Sequence, residues 1–417
     1  MQADIQLSTH VLTTQNAHQV GALVTLTGVA RSERPPINVS LVLDRSGSMA
    51  GAPLRAARRA AELFAGFLGV RDRLSVVAFD DQVQTVFGPA TAGHPAAIAG
   101  IQNIESGGST NLSGGWLMGQ RHTRDGLLDG INRVVLLTDG QANAGIIDPV
   151  KLVGLTTDAA AQRVSTSCIG FGPSFNEDLL TAMAQGGRGN YWYVENHDQL
   201  AGIFSEEIEG LVSLVAQNIE IEIRPCSPRL AGVTLLQGYP VKHNDDGSWL
   251  VTLGDLYASS PLALGVLLHA EDVAELGPVH LADLVIRSDT VTETGIEQRT
   301  ITQAVTANLD GQDHLDPIVE KTFLRYEVAR ARKTAVRQAD DGDLDSAATT
   351  LREAAAKIGA MAPDDPALAE VRVDLEAEAV RCAEQRYEAR DRKYNLALSM
   401  AESRGKDAYR DKMRRGK

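Results

Sequence analysis

Between residues 37 and 210 the apolar positions fall into two alternating patterns. Short continuous runs, Asn38–Leu43, Leu74–Phe79, Arg133–Thr138, Val164–Gly170 and Asn190–Val194, read as buried strands. A strand covered on both faces has no polar side to show. Between these runs the apolar residues recur three or four apart. In Leu54–Leu68, the positions Leu54, Ala57, Ala61, Phe64 and Leu68 line one helical face. Pro53 stands near the helix start, where its missing N–H costs nothing. Asn176-Glu177-Asp178-Leu179 offers a capped start for another helix. Val83–Phe87 follows Asp80-Asp81 too closely for a crossover and is expected to be an antiparallel edge strand. The order β-α-β-β-α-β-α-β-α-β-α predicts a doubly wound α/β sheet with helices on both faces.

The flanks follow other periods. Near the start, Val20, Ala22, Val24 and Leu26 alternate with Gly21, Leu23, Thr25 and Thr27, a period of two that predicts a second strand after a turn at Asn16-Ala17-His18. Pro35-Pro36 marks a boundary. After residue 212 the helical period is gone. Ile219–Ile223, Gly232–Leu236, Trp249–Leu253, Leu262–His269, His280–Ile286 and Gln298–Val305 read as short strands, with a hairpin turn at Asn244-Asp245-Asp246-Gly247. An isolated pair of strands is marginal alone, so residues 1–36 are expected to join residues 212–308 in a discontinuous all-β sandwich. The α/β domain, residues 37–211, would be inserted in it. Residues 313–417 read as a C-terminal helical domain. Asp316-Pro317 opens its first helix, Asp340-Asp341-Gly342-Asp343 precedes Leu344–Ile358, and Pro363 to Pro366 precede a long charged helix to about Ser403. Residues 342–348 with Leu351 and Ala355 resemble one helix of a tetratricopeptide unit, but a single copy is a weak signal. A packed three-helix hairpin is the expectation.

Composition narrows the functional classes. The chain has 417 residues and 43% apolar content, enough for two to four domains. Its densest apolar run, Leu262–Leu268, is strand-sized and far short of the roughly 18 residues that span a bilayer. Met1-Gln2-Ala3-Asp4 has neither a basic patch nor an apolar core behind it, so no signal peptide is expected. Cys168, Cys226 and Cys382 are odd in number and lack metal spacing, which points to reduced thiols and a cytoplasmic location. A net charge of -14 argues against nucleic acid as a partner. The charge is uneven, since residues 381–417 carry 12 basic against 6 acidic residues. That segment reads as a solvated helical tail, or as a docking tail for an acidic partner or for the protein's own acidic face.

The chemistry concentrates in three loops. Asp44-Arg45-Ser46-Gly47-Ser48 leaves the strand run Ile37–Leu43 and enters a helix. Gly107-Gly108-Ser109-Thr110-Asn111-Leu112 and Thr138-Asp139-Gly140 follow at distances that suit later loops of the same sheet. In an open parallel sheet the loops at the carboxyl ends of the strands converge on a crevice. Asp44, Ser46, Ser48, Thr110 and Asp139 there make an all-oxygen pocket for a hard divalent cation. The hydroxyls can bond an ion without adding charge, the two carboxylates supply the charge, and one position is left for water or an incoming ligand. Each loop could instead be an ordinary cap or turn, but three after strands in this order is a poor coincidence. Gly47-Ser48-Met49-Ala50-Gly51 fails the spacing of a nucleophile elbow. The nine histidines show no zinc spacing, and no Gly-x-x-x-x-Gly-Lys-Ser/Thr loop occurs.

On these residues the α/β segment resembles a von Willebrand factor type A (VWA) domain, Rossmann-like in fold, with an intact metal-ion-dependent adhesion site. The family's Asp-x-Ser-x-Ser matches Asp44, Ser46 and Ser48, its second-loop threonine matches Thr110, and its third-loop aspartate matches Asp139. The resemblance implies a bound Mg²⁺, with Ca²⁺ or Mn²⁺ as alternatives, whose shell is completed by an acidic side chain of a protein partner. A VWA domain set in a β-sandwich is similar to the integrin arrangement. The pairing with a β-block is similar to bacterial relatives of calcium-activated chloride channels and inter-α-trypsin inhibitor heavy chains. The expectation is a cytoplasmic, non-enzymatic protein-binding module of scaffolding, signalling or assembly type, with an AAA+ ATPase among its candidate partners. Met49, Ser109, Asn111, Gln141 and Asn143 are expected on the rim around the ion. The alternatives are a surface adhesin and a Mg²⁺-dependent hydrolase, the latter with only Asp80, Asp81 or Asp125 to offer as a base.

Overall fold

The computed structural model describes residues 4–13, 17–29, 34–237, 239, 241–258, 260–271, 277–292, 295–309 and 316–403. Strands β1 (Asp4–Thr13) and β2 (Ala17–Thr27) pair antiparallel, with Leu7 opposite Val24. Ala17 and His18 lie inside β2 instead of in the expected turn, because Thr13 and Ala270 both pair with His18 and extend the ladder. Asn16 lies outside the described residues.

The α/β unit comprises Ala30–Gln217 and Asp289–Glu297. It runs β3 (Ile37–Asp44), α1 (Ala52–Phe67), β4 (Arg73–Phe79), β5 (Val83–Thr91), α2 (Pro95–Gln102), α3 (Leu112–Asp125), β6 (Ile131–Thr138), α4 (Pro149–Ala161), β7 (Ser165–Phe171), α5 (Glu177–Gly186), β8 (Arg188–Val194) and α6 (Leu200–Ser213). One helix was expected between β5 and β6, and there are two. The first is short and rich in Ala and Gly, too brief to show a period, and starts at Pro95 where His94 Nδ1 accepts from the Ala96 amide at 3.1 Å. The sheet order is β5-β4-β3-β6-β7-β8. β5 is an antiparallel edge strand and the other pairings are parallel. β3, β6 and β7 are buried at every position, as helices on both faces require. The strand order reverses between β3 and β6, so the crevice of this doubly wound sheet opens beyond the ends of those two strands.

The second unit comprises Met1–Val29, Asn218–Ser288 and Gln298–Lys417. Its strands are β1 and β2 with β9 (Leu214–Pro225), β10 (Leu230–Leu235), β11 (Val241–His243), β12 (Trp249–Thr252), β13 (Leu256–Tyr257), β14 (Leu262–Glu271), β15 (Gly277–Val291) and β16 (Ile296–Leu309). One sheet has the order β1-β2-β14-β10, with Val24 opposite Leu264. The other has the order β11-β12-β9-β15-β16, with β13 also on β9. The chain therefore leaves the first sheet after β2 and rejoins it at β10 and β14, beyond the α/β segment.

Among the described residues, four helices complete this unit: α7 (Pro317–Asp340), α8 (Leu344–Met361), α9 (Pro366–Ala383) and α10 (Ala389–Ser403). Asp316 caps α7 through bonds from the amides of Ile318 and Val319. Leu324, Val328, Leu351, Ile358, Leu375 and Cys382 share one core. The single long helix expected after Pro366 is broken, which replaces the three-helix hairpin with four helices. The chain turns at Gln385, whose φ is +55°, and the Arg386 amide bonds back to Arg381 O at 2.8 Å. Tyr394, Leu396, Ala397 and Leu398 are buried, and Ser399 Oγ donates to Ala329 O at 2.9 Å. Doubling back onto α7 is what covers the apolar face of α10. No described helix is long and apolar enough to cross a membrane.

Candidate functional site

Asp44 is the last residue of β3, and Thr138 ends β6 beside it, followed directly by Asp139. Asp44 is fully buried. Its Oδ1 accepts from the Ser46 amide at 2.8 Å and its Oδ2 from Thr138 Oγ1 at 2.5 Å. The first of these bonds turns the chain out of the strand so that Ser46 and Ser48 face the crevice. Ser46 Oγ and Ser48 Oγ lie 3.1 Å apart, and Ser48 Oγ donates to Asp139 Oδ1 at 2.7 Å. Thr110 is held by its backbone: its amide donates to Asn143 Oδ1 at 2.8 Å, and its carbonyl accepts from the amides of Asn143 and Ala144. Its hydroxyl stands beside Gly140, where an added Cβ would come 3.0 Å from Oγ1. Asp44, Ser46, Ser48 and Asp139 are thus joined by hydrogen bonds, and Thr110 lies next to them.

A second set of residues, not singled out as site residues from the sequence, holds the loops in place. Asp80 follows β4. It forms an ion pair with Arg45 at 3.3 Å and accepts from the amides of Gln82 at 2.8 Å and Gly108 at 3.3 Å. The Asn111 amide donates to its carbonyl at 2.8 Å. The Gly107 amide donates to Arg45 O, and the Gly47 amide to Gly108 O, at 2.8 and 2.9 Å. The first and second loops are therefore stitched together directly. At Gly107 an added Cβ would fall 1.7 Å from Asp80 Oδ2, so the approach needs glycine there. The pair Gly107-Gly108 was the one available signal for this in the sequence.

Burial decides the fate of the expected rim. Met49 is fully buried and belongs to the core, since a thioether has nothing to gain in the polar crevice. Asn111 caps α3 by accepting from the Gly114 amide at 3.0 Å. Asn143 is spent on Thr110. Ser109 and Gln141 are exposed and remain rim positions.

The electrostatics of the two inner carboxylates are alike in direction. Burial raises the pKa of Asp44, outweighing its bonds from Ser46 and Thr138, and Asp80 adds repulsion. Burial also pushes Asp139 up to about 6, with the Ser48 bond opposing and the Asp44 charge adding to the rise. Asp80 goes the other way: burial raises it, but the Gln82 and Gly108 amides and Arg45 hold it below the ordinary carboxylate value. Two carboxylates both pushed up by burial, bonded to hydroxyls and with no cationic side chain among their described partners, favour a positive ion between them. The donors are all oxygen, which suits Mg²⁺, Ca²⁺ or Mn²⁺ and disfavours soft metals. On this ground the residues fit a hard divalent cation.

The α/β unit is thus a doubly wound domain with a polar crevice at its switch point. Residues 38–206 match the family model described as the von Willebrand factor type A domain, and this segment is a VWA domain. The chain is 28% identical over 332 residues to the uncharacterized protein sll0103 of Synechocystis sp., an alignment covering 77% of this chain and 78% of that one. It is 25% identical over 228 residues to inter-alpha-trypsin inhibitor heavy chain H1 of Bos taurus, covering 52% of this chain and only 24% of that protein. Among solved structures, the von Willebrand factor type A protein from Catenulispora acidiphila has the same fold, with a TM-score of 0.71 at 17% identity, over 96% of this chain and 97% of that one.

Proposed function

We propose that the α/β domain is a cation-dependent protein-binding module. Asp44, Ser46, Ser48, Thr110 and Asp139 hold a divalent cation, Mg²⁺ first and Ca²⁺ or Mn²⁺ as substitutes. An acidic side chain of a protein partner completes the set. The observation that carries this reading is the Ser48 Oγ–Asp139 Oδ1 bond at 2.7 Å, which brings the first and third loops to one point while Thr138 anchors Asp44 behind them. When bound, the ion supplies attraction for an incoming carboxylate. The chain provides only two negative charges, so a third from outside is still drawn in. Ser109 and Gln141 are placed to read the surroundings of that carboxylate.

On this reading the chain is not an enzyme. A hydrolase would need a base beside the ion, and two of the three candidate carboxylates are engaged elsewhere. Asp80 is spent on Arg45 and two amides, and Asp125 pairs with Arg121 on the exposed end of α3. The three free thiols favour a reducing, cytoplasmic setting over the surface of an adhesin. An AAA+ ATPase is one partner of the expected kind, with the basic tail as its contact; residues 404–417 of that tail lie outside the described residues. We also read the two sheets of the second unit as layers of a sandwich formed by residues 1–36 and 212–308, with the VWA domain, 37–211, inserted and residues 313–417 as a helical domain. The pairing of β2 with β14 across the insertion supports this.

Calorimetric titration with Mg²⁺ and Mn²⁺, and partner capture with and without EDTA, test the reading. Asp44→Ala and Asp139→Ala are expected to abolish both cation heat and capture while the circular dichroism persists. Unchanged cation affinity in both variants would refute it.

A further inference from the structure

A different cluster lies on the six-stranded sheet of the second unit, independent of the VWA crevice. β9 ends at Pro225, and Cys226 follows it alongside β15. Two successive amides, those of Cys226 and Ser227, converge on the single carbonyl of Leu281, at 2.9 and 3.3 Å. At the same place β15 loses its alternation, with Leu281 and Ala282 both fully buried. Residues three apart on a regular strand point to opposite faces. The irregularity instead brings His280 and Asp283 out together, with Nε2 and Oδ1 2.8 Å apart. Local breaks in a ladder re-aim side chains in this way. Ligand atoms of Cys226, His280 and Asp283 all lie within 4.8 Å of one another.

We propose that Cys226, His280 and Asp283 form a binding site for a borderline-soft divalent cation of the Zn²⁺ type, with a fourth position left to water or to a donor from another molecule. Thiolate, imidazole and carboxylate are the three ligand classes Zn²⁺ takes. Tetrahedral bonds to such ligands place the donor atoms about 3.5 Å apart, so the cluster needs small side-chain rotations only. Cys226 and His280 are exposed and Asp283 is partly so, which leaves a path for the ion. The neighbouring cations are engaged elsewhere. Arg224 binds Glu222 at 2.8 and 3.0 Å, and Arg287 binds the same carboxylate at 2.6 Å. The other two thiols, Cys168 and Cys382, are buried, so Cys226 is the thiol that a metal in solution meets. The three residues are separated by more than 50 positions at one end and by three at the other, a spacing no zinc motif uses, and only the sheet brings them together.

Co²⁺ is the probe, because a cobalt–thiolate bond absorbs in the near ultraviolet. The full chain, kept reduced, is titrated with CoCl₂ and then with ZnCl₂ as competitor. One equivalent of Co²⁺ is expected to give the thiolate band, and Zn²⁺ to erase it. Cys226→Ser removes the band. Loss of an outer-shell partner alone costs about 10–100-fold in affinity, so His280→Ala and Asp283→Asn weaken Co²⁺ binding by about 10-fold or more. Asp44→Ala leaves the band intact, which separates this site from the VWA crevice whatever becomes of the latter. Since Cys226 and His280 are exposed and Asp283 is partly so, unchanged circular dichroism is expected of the variants at these three positions. No thiolate band in the wild type, or a band indifferent to His280→Ala and Asp283→Asn, overturns the proposal.

Discussion

Thr138 Oγ1 donates to Asp44 Oδ2 at 2.5 Å, joining the last residues of two adjacent parallel strands across the point where the strand order reverses. The bond fixes one oxygen of a buried carboxylate, while the Ser46 amide takes the other. Asp44 thus organises both the first and the third loop. Its own freedom is small before any ion arrives.

Thr138→Val keeps the shape of the side chain and removes the donor. It leaves Asp44 Oδ2 buried without that partner, a loss of about 1–3 kcal/mol. The expected result is a lower midpoint in chemical denaturation together with weaker Mg²⁺ binding by calorimetry. Wild-type values for both would show that the bond is incidental.

Gly107→Ala tests the scaffold without touching any proposed ligand. The new methyl would overlap the Asp80 carboxylate and push it off Arg45 and the Gly108 amide. The second loop, and Thr110 with it, is then displaced. Cation affinity is expected to fall while the far-ultraviolet dichroism is unchanged. Gly51→Ala, also a loop glycine but with nothing within 4 Å of the added Cβ, should leave cation affinity much closer to wild type, although its φ of +85° costs some stability.

Acid stability should depend on Asp72. Burial raises its pKa, but the Arg34 guanidinium, at 2.5 and 2.7 Å, and the amides of Gly69 and Ile37 outweigh that and hold it below the ordinary value. A depressed folded pKa stabilises the protein above the unfolded value of about 4, and the contribution disappears as pH falls through the folded value. Asp72→Asn is therefore expected to be less stable at neutral pH by about 2 kcal/mol. The gap from wild type should close below about pH 4. A gap independent of pH in urea titrations would contradict this assignment.

Arg133 and Glu207 form a fully buried pair under α6, at 3.3 Å. Burial raises the Glu207 pKa, but Arg133, Ser167, Asn190 and Trp192 together bring it below its usual value. Glu207 accepts from Ser167 Oγ at 2.5 Å, Asn190 Nδ2 at 2.9 Å and Trp192 Nε1 at 2.8 Å. Glu207→Leu strands the buried guanidinium and should cost about 3–5 kcal/mol. The double variant Arg133→Met with Glu207→Leu should recover part of that loss. Equal destabilisation of single and double variants, measured by urea titration, would show that the pair is not coupled.

What the sequence determined by itself is the α/β succession and the residues gathered at its crevice. Apolar runs and helical periods are local signals, and burial on both faces of a parallel sheet writes them into the chain as uninterrupted stretches such as Val134–Leu137. Given that sheet, Asp44, Ser46, Ser48 and Asp139 had to meet, since the ends of β3 and β6 converge where the order reverses, whereas Thr110 lies in the loop between α2 and α3, which backbone bonds to Arg45 and Gly47 draw in beside them. Tertiary structure decided what depends on partners distant along the chain. Asp80 became the brace of two loops because Arg45 and Gly108 arrive beside it, and nothing near residue 80 announces them. Met49 went inward and α10 folded back on α7 because apolar surface there found cover. Cys226 met His280 and Asp283 only where two amides share the Leu281 carbonyl and β15 loses its alternation. Local pattern specifies which face of an element is apolar, but which polar groups share a buried space is settled by the packing of elements, and that information is spread over the whole chain.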